Sequence, residues 1–146
     1  MASWQATLWL VPAGVDVADP ESAWIDVPVG YDVVRVLAYV LPQSEAKAGE
    51  TAHFGDYERH DIQLAASATT LEYIRLRADL RAPDVMQLLT DLWSATQIMG
   101  ADCMTPEGKR LEPEPRTWAD YLATTLAARF VSDPTGYLAT IRDEAV

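Results

Sequence analysis

Between Leu71 and Gly100 the hydrophobic pattern changes period once. Ile74, Leu76, Ala78 and Leu80 alternate with Arg75, Arg77, Asp79 and Arg81, the period of two that marks a half-buried strand. Beyond Ala82-Pro83-Asp84, residues Val85, Leu88, Leu89, Leu92, Trp93, Thr96 and Met99 recur at steps of three and four, which predicts a helix with one apolar stripe. Pro83 suits the first helical position, Asp84 favours the positive helix start, and Gly100 supplies a C-terminal stop. Strand and helix each have one face to hide, and covering one another hides both.

The remaining pattern is arranged around this pair. Trp4 to Val11 reads as a strand rich in aromatic and β-branched residues, ended by Pro12 and Gly14. Val15 to Pro28 is an acidic loop, with a short strand expected near Ala23–Val27. Tyr31 to Leu41 fits helix or strand; the helical spacing of Val33, Val36, Leu37 and Val40, with Pro42 as a stop, favours helix. Gln43 to Thr51 reads as a polar, mobile loop. His53 to Ala66 reads as strand, and Ser67-Ala68-Thr69 turns Glu58–Ala66 back onto the Leu71 strand as an antiparallel hairpin. In that register Asp61 lies among Arg75 and Arg77. Ala101 to Pro113 predicts a second hairpin, turned by Pro106-Glu107-Gly108. Thr117 opens a helix through Thr117-x-x-Asp120, a capping-box-like pattern, which continues past Leu122 and Leu126 to Arg129. Asp133-Pro134 then starts a last helix with Tyr137, Leu138 and Ile141 inward. Without a regular βαβ rhythm, the mixture predicts one α+β domain spanning residues 1–146, an antiparallel sheet with helices mainly on one face.

Charge changes the picture more than size does. A chain of 146 residues with 49% hydrophobic and 23% charged positions is long enough for a core that needs neither disulfide nor metal. Its formal charge of −11 repels nucleic acid and anionic membranes and attracts basic partners. Asp16, Asp19, Glu21, Asp26 and Asp32 all precede the first basic residue, Arg35. Cys103 has no second cysteine with which to pair, and no signal or membrane-spanning segment is evident. The expected location is therefore the cytoplasm.

Three pieces carry a resemblance. They are Arg77-Ala78-Asp79-Leu80-Arg81, the turn Cys103 to Gly108 with Leu111-Glu112-Pro113, and Ala128 to Pro134 followed by Tyr137-Leu138. Their order resembles small uncharacterised bacterial proteins, some of which look like the immunity proteins encoded beside polymorphic toxins. The resemblance covers roughly the C-terminal half and rests on turn, cap and core residues. It implies a non-enzymatic protein that neutralises a toxin, and it identifies no contact residues.

The candidate chemistry is sparse. His53, Asp56 and His60, with Glu58 and Asp61 nearby, are residue types that could serve a small metal-dependent hydrolase. Their spacing matches no strong metal motif, and adjacent strand residues such as His60 and Asp61 point to opposite faces. Arg75 and Arg77, with Arg81, form a basic row suited to an anion or to pairing with Asp61. Cys103 reads as a small apolar core residue, and no serine sits in a nucleophile elbow. Trp24, flanked by Asp19, Glu21 and Asp26, is either an anchor for a basic protein partner or an aromatic folded back onto the sheet. The sequence thus favours an acidic binding protein with no cofactor, no nucleic acid and no membrane. A metal-dependent hydrolase and a structural assembly subunit are the alternatives; partner and oligomeric state are not encoded in any motif.

Overall fold

The computed structural model describes residues 2–27, 33–46, 51–67, 70–136 and 138. Its strands are β1 (Gln5–Pro12), β2 (Gln43–Ala46), β3 (Thr51–Gly55), β4 (Asp61–Ser67), β5 (Thr70–Asp79) and β6 (Ala101–Met104). They form one sheet in the order β2-β3-β4-β5-β1-β6, and every pairing is antiparallel. The helices are α1 (Val33–Ala38), α2 (Val85–Met99), α3 (Pro115–Leu122) and α4 (Leu126–Ser132), with a 3₁₀ turn at Pro20–Ser22. The fold is α+β, as the mixed pattern predicts.

Alternation along the strands decides which face the helices cover. Leu8 and Leu10 of β1, Ile62 of β4, and Ile74 and Leu76 of β5 are fully buried. They join Leu37 of α1, Leu89 and Leu92 of α2 and Trp118 of α3 in the main core. Each such side chain contributes about 1.5–3 kcal/mol when moved out of water. The helix α2 ends where Gly100 takes the left-handed conformation, φ 65° and ψ 43°, and its N–H reaches the Thr96 carbonyl.

The opposite face is closed by two loops. Residues 56–60, between β3 and β4, fold over one half: Tyr57 stacks on His53 with ring centroids 3.7 Å apart. The Gln5 side-chain amide donates to the Tyr57 and Arg59 carbonyls at 3.0 and 2.6 Å, and the Trp4 indole donates to the Glu58 carbonyl at 2.8 Å. Over the other half, Val17 and Ala23 of the acidic loop, with Tyr73 of β5, pack on Trp9, Val11 and Met104.

Several expectations are corrected. No strand forms at Ala23–Val27; Asp19 caps the 3₁₀ turn, and the Ile25 and Val27 N–H groups find the Ser22 and Trp24 carbonyls. These local bonds take the place of a ladder. Conversely, Gln43–Ala46 is a strand and not a loop, because an edge position next to β3 tolerates polar side chains. The central hairpin begins at Asp61 and not at Glu58, since Asp56 and His60 close a turn before it. Pro83 precedes the helix that it was expected to start, which opens at Val85 after Asp84. Trp93 is not core; it is 36% exposed, and its indole donates to the Pro113 carbonyl. The second arm of the Ala101–Pro113 hairpin amounts to one bridge, Met104 to Arg110.

The C-terminal helices also differ from expectation. The helix expected from Thr117 starts at Pro115, whose missing N–H costs nothing in the first turn. It does not run on to Arg129: Thr125 leaves helical geometry, and its hydroxyl caps α4 through the Ala128 N–H. Asp133 accepts from the Gly136 N–H as expected of a cap, but Leu138 is 55% exposed and not inward. Pro28, Tyr31, Asp32, Tyr137 and Ile141, together with most of the Ser67-Ala68-Thr69 turn, lie outside the described residues.

Candidate functional site

Two places gather the residues singled out from sequence. The first is the acidic turn after β1. Trp24 is 3% exposed, so its indole cannot be the surface anchor that an accessible aromatic would provide. It folds back and donates through Nε1 to the Leu10 carbonyl at 2.8 Å, while its backbone N–H reaches the Glu72 carbonyl at 3.1 Å. Burying Trp24 turns its neighbour outward: Ile25 is 46% exposed, and Val15 is 42% exposed. Asp19 spends one carboxylate oxygen on the Glu21 N–H. No ion pair among the described residues involves Asp16, Glu21 or Asp26. The Arg110 guanidinium donates to the Val15 and Pro12 carbonyls and to Asp102, which ties the start of the turn to the β6 side of the sheet.

The second place is a polar chain on the loop-covered face of the sheet. Register sets it up, because Asp61 faces Arg77 and Gln63 faces Arg75 across β4 and β5. Arg77 grips Asp61 with two parallel bonds, Nε to Oδ1 at 2.7 Å and Nη2 to Oδ2 at 2.5 Å. The Asp61 carboxylate holds the Arg77 guanidinium above its ordinary value, against the opposing effect of burial. His53 of β3 adds Nε2 to Asp61 Oδ2 at 2.9 Å, and its Nδ1 meets the Ser44 hydroxyl. Arg75 donates to Gln63 Oε1 at 2.6 Å; its buried Nε has no hydrogen-bond partner among the described residues. The basic row is thus largely absorbed by the sheet's own acceptors.

His60 lies elsewhere. Its Nδ1 accepts from the Asp79 N–H at 2.9 Å, which makes the imidazole ring a substitute for the next carbonyl of β4. Nε2 therefore carries the hydrogen and donates to Asp84 Oδ1 at 2.8 Å. Both nitrogens of His53 are engaged as well. With four ring nitrogens committed to separate partners, His53, Asp56 and His60 do not assemble a metal centre, and no group of three or more ligating residues occurs among the described residues.

No family model, curated protein or solved structure matches the chain. No helix among the described residues is long and apolar enough to cross a membrane.

Sequence reasoning missed Ser44, Gln5 and Asp84. Ser44 lay in a stretch read as loop, and Gln5 had no periodic signal beyond its place opposite Asp79 in the ladder. The Asp61–Arg77 pair was legible from strand alternation alone. Cys103 is fully buried, and burial first, then the charge of Asp102, pushes its thiol well above the ordinary value. That leaves it a core residue and not a nucleophile.

Asp79 gives the fold a pH dependence. Burial by itself raises its carboxyl, but hydrogen bonds from the Arg81 side chain and backbone N–H reverse this and leave it below the ordinary value. A depressed native value stabilises the fold above the ordinary carboxylate range, and the contribution is lost as pH falls through that native value. Asp79→Asn should therefore flatten the acid limb of a stability-against-pH curve from chemical denaturation, relative to the parent chain. Superimposable acid limbs would show that Asp79 carries none of it.

Proposed function

We propose that this chain is an acidic binding protein of the immunity type, whose function requires only that it hold a basic protein partner, with the turn around residues 15–26 as the contact surface. The observation that carries the reading is the union of a fixed backbone with unneutralised acids. Trp24 and Arg110 pin the turn to the sheet, while Asp16, Glu21 and Asp26 are exposed on the same turn as exposed Val15 and Ile25 and form no ion pair among the described residues. An apolar centre within a charged rim is the usual anatomy of a specific interface. Fixing the backbone beforehand lowers the ordering cost of association. The formal charge of −11 adds long-range attraction for a basic surface. The resemblance of the C-terminal motifs to immunity proteins points to a toxin as that surface. A metal-dependent hydrolase built on His53, Asp56 and His60 has no support in their arrangement.

The test is co-expression with the product of the adjacent gene, followed by measured association rates. The chain is expected to relieve that product's toxicity and to bind with a rate that falls as salt rises. Combining Glu21→Gln with Asp26→Asn should slow association by roughly 3- to 10-fold at low ionic strength, with little difference at high salt. A rate that ignores both salt and these substitutions would remove the acidic turn from the interface.

A further inference from the structure

At the other end of the sheet, across β2, β3 and β4, three side chains stand in the order that serine hydrolysis uses. Ser44 lies where the register of β2 against β3 shifts between Gln43 and Glu45, and a bulge of this kind can re-aim a side chain at a functional site. Its Oγ meets His53 Nδ1, with the His53 carbonyl 3.2 Å away as a second acceptor. His53 Nε2 in turn reaches Asp61 Oδ2 at 2.9 Å. The chain is held from three sides: Arg77 fixes the Asp61 carboxylate, Tyr57 stacks on the imidazole, and the ring is only 3% exposed. Ser44 itself is exposed. It borders a depression of about 350 Å³ that Leu41, Pro42, Gly55 and Arg59 also line.

We propose that Ser44, His53 and Asp61 form a nucleophile–base–orienter relay that cleaves small carboxylic esters in this depression. The roles follow from the bonds. The Asp61 carboxylate accepts the Nε2–H of neutral His53, which leaves the Nδ1 lone pair facing Ser44. As Oγ forms its bond to the ester carbonyl carbon, its proton passes to Nδ1. The imidazolium then returns that proton to the departing alkoxide as the carbon–oxygen bond breaks. Water repeats the sequence: it gives a proton to Nδ1 and its oxygen to the acyl carbon, releasing a carboxylic acid and restoring the Ser44 hydroxyl.

Positive charge for the developing oxyanion comes from Arg59. Arg59 lines the same depression, and its side chain makes no hydrogen bond or ion pair among the described residues. The neighbouring backbone donors are already occupied, Gly55 N–H by the Pro42 carbonyl and Asp56 N–H by the His60 carbonyl. Leu41 and Pro42 offer the acyl group an apolar wall, so short acyl esters are the fitting class. The relay is separate from the acidic turn, which packs near β1 and β6, and the two readings fail independently.

The experiment uses the full chain with 4-nitrophenyl acetate as substrate and a small alkyl fluorophosphonate as label. The fluorophosphonate forms an oxygen–phosphorus bond with an activated serine and expels fluoride. Steady turnover of the ester is expected, falling at least about 100-fold in Ser44→Ala. Peptide mass spectrometry should place the label on Ser44 in the folded protein and not in protein unfolded by denaturant. Ser44→Ala changes an exposed side chain, and its circular dichroism should match the parent. Ester turnover equal in the parent and in Ser44→Ala, or a fluorophosphonate label absent from the Ser44 peptide, would overturn the proposal.

Discussion

Asp61→Ala should destabilise the protein by about 3–5 kcal/mol, the range for removing one partner of a buried ion pair. Asp61 is 1% exposed and accepts from Arg77 through both oxygens and from His53 through one. Alanine would leave a guanidinium whose side chain is only 12% exposed, and a buried imidazole, without their acceptor. Such a loss is a large share of the roughly 5–15 kcal/mol that holds a typical domain folded. Asp61→Leu combined with Arg77→Met should recover the part due to the unpaired guanidinium, because the two hydrocarbon side chains need no partners, and leave the part due to His53 Nε2. Urea unfolding of the three proteins measures both effects. A midpoint for Asp61→Ala that implies a loss below about 1 kcal/mol would mean that water reaches Arg77 and that the pair is not enclosed.

The same pair marks how far strand alternation can be read. A period of two fixes which residues share a face, and it placed Asp61 opposite the arginines of β5. Steps of three and four likewise distinguished the apolar stripe of α2, where Leu88, Leu89, Leu92 and Met99 are buried. Alternation gives no information on what covers the second face. His53 and Asp61 are polar strand residues, yet they are 3% and 1% exposed because residues 56–60 fold over them. That fold-back depends on Gln5, more than fifty residues earlier, and on Gly55, neither of which stands out by periodicity.

Local chemistry left Trp24 open between two readings, and the structure takes the folded-back one. Trp24 sits in an acidic, proline-bearing stretch, and such composition normally argues for solvent. Yet its indole joins the main core with Leu8, Leu10 and Leu37, and the free energy of burying a ring that also finds the Leu10 carbonyl outweighs the polarity of its neighbours. The C-terminal helices show the opposite case. The apolar spacing from Trp118 to Arg129 carries no break, and the interruption comes from Thr125, whose hydroxyl offers the backbone a cap in place of another helical turn. For the candidate sites, sequence supplied the acids and the arginines; it could not reveal that Ser44 and His53 meet, because their contact depends on an edge strand with no apolar signature.

Gly55→Ala should cost about 3 kcal/mol or more and should loosen both histidine arrangements at once. Gly55 has a φ of 80°, a region that alanine enters only with strain. A β-carbon there would drive into the His60 carbonyl oxygen and lie 3.1 Å from Leu41 Cδ1. The carbonyl cannot move aside cheaply, since it accepts the Asp56 N–H that closes the 56–60 turn. Displacing that turn would pull Tyr57 off His53 and shift His60 away from the Asp79 N–H and Asp84. Gly14→Ala is the matched control: its φ of 72° imposes similar backbone strain, but an added β-carbon meets nothing within 4 Å. That substitution should therefore cost only about 1–2 kcal/mol. Urea midpoints for the two variants separate collision from strain, and equal losses would show that the 56–60 turn yields freely and does not clamp the sheet.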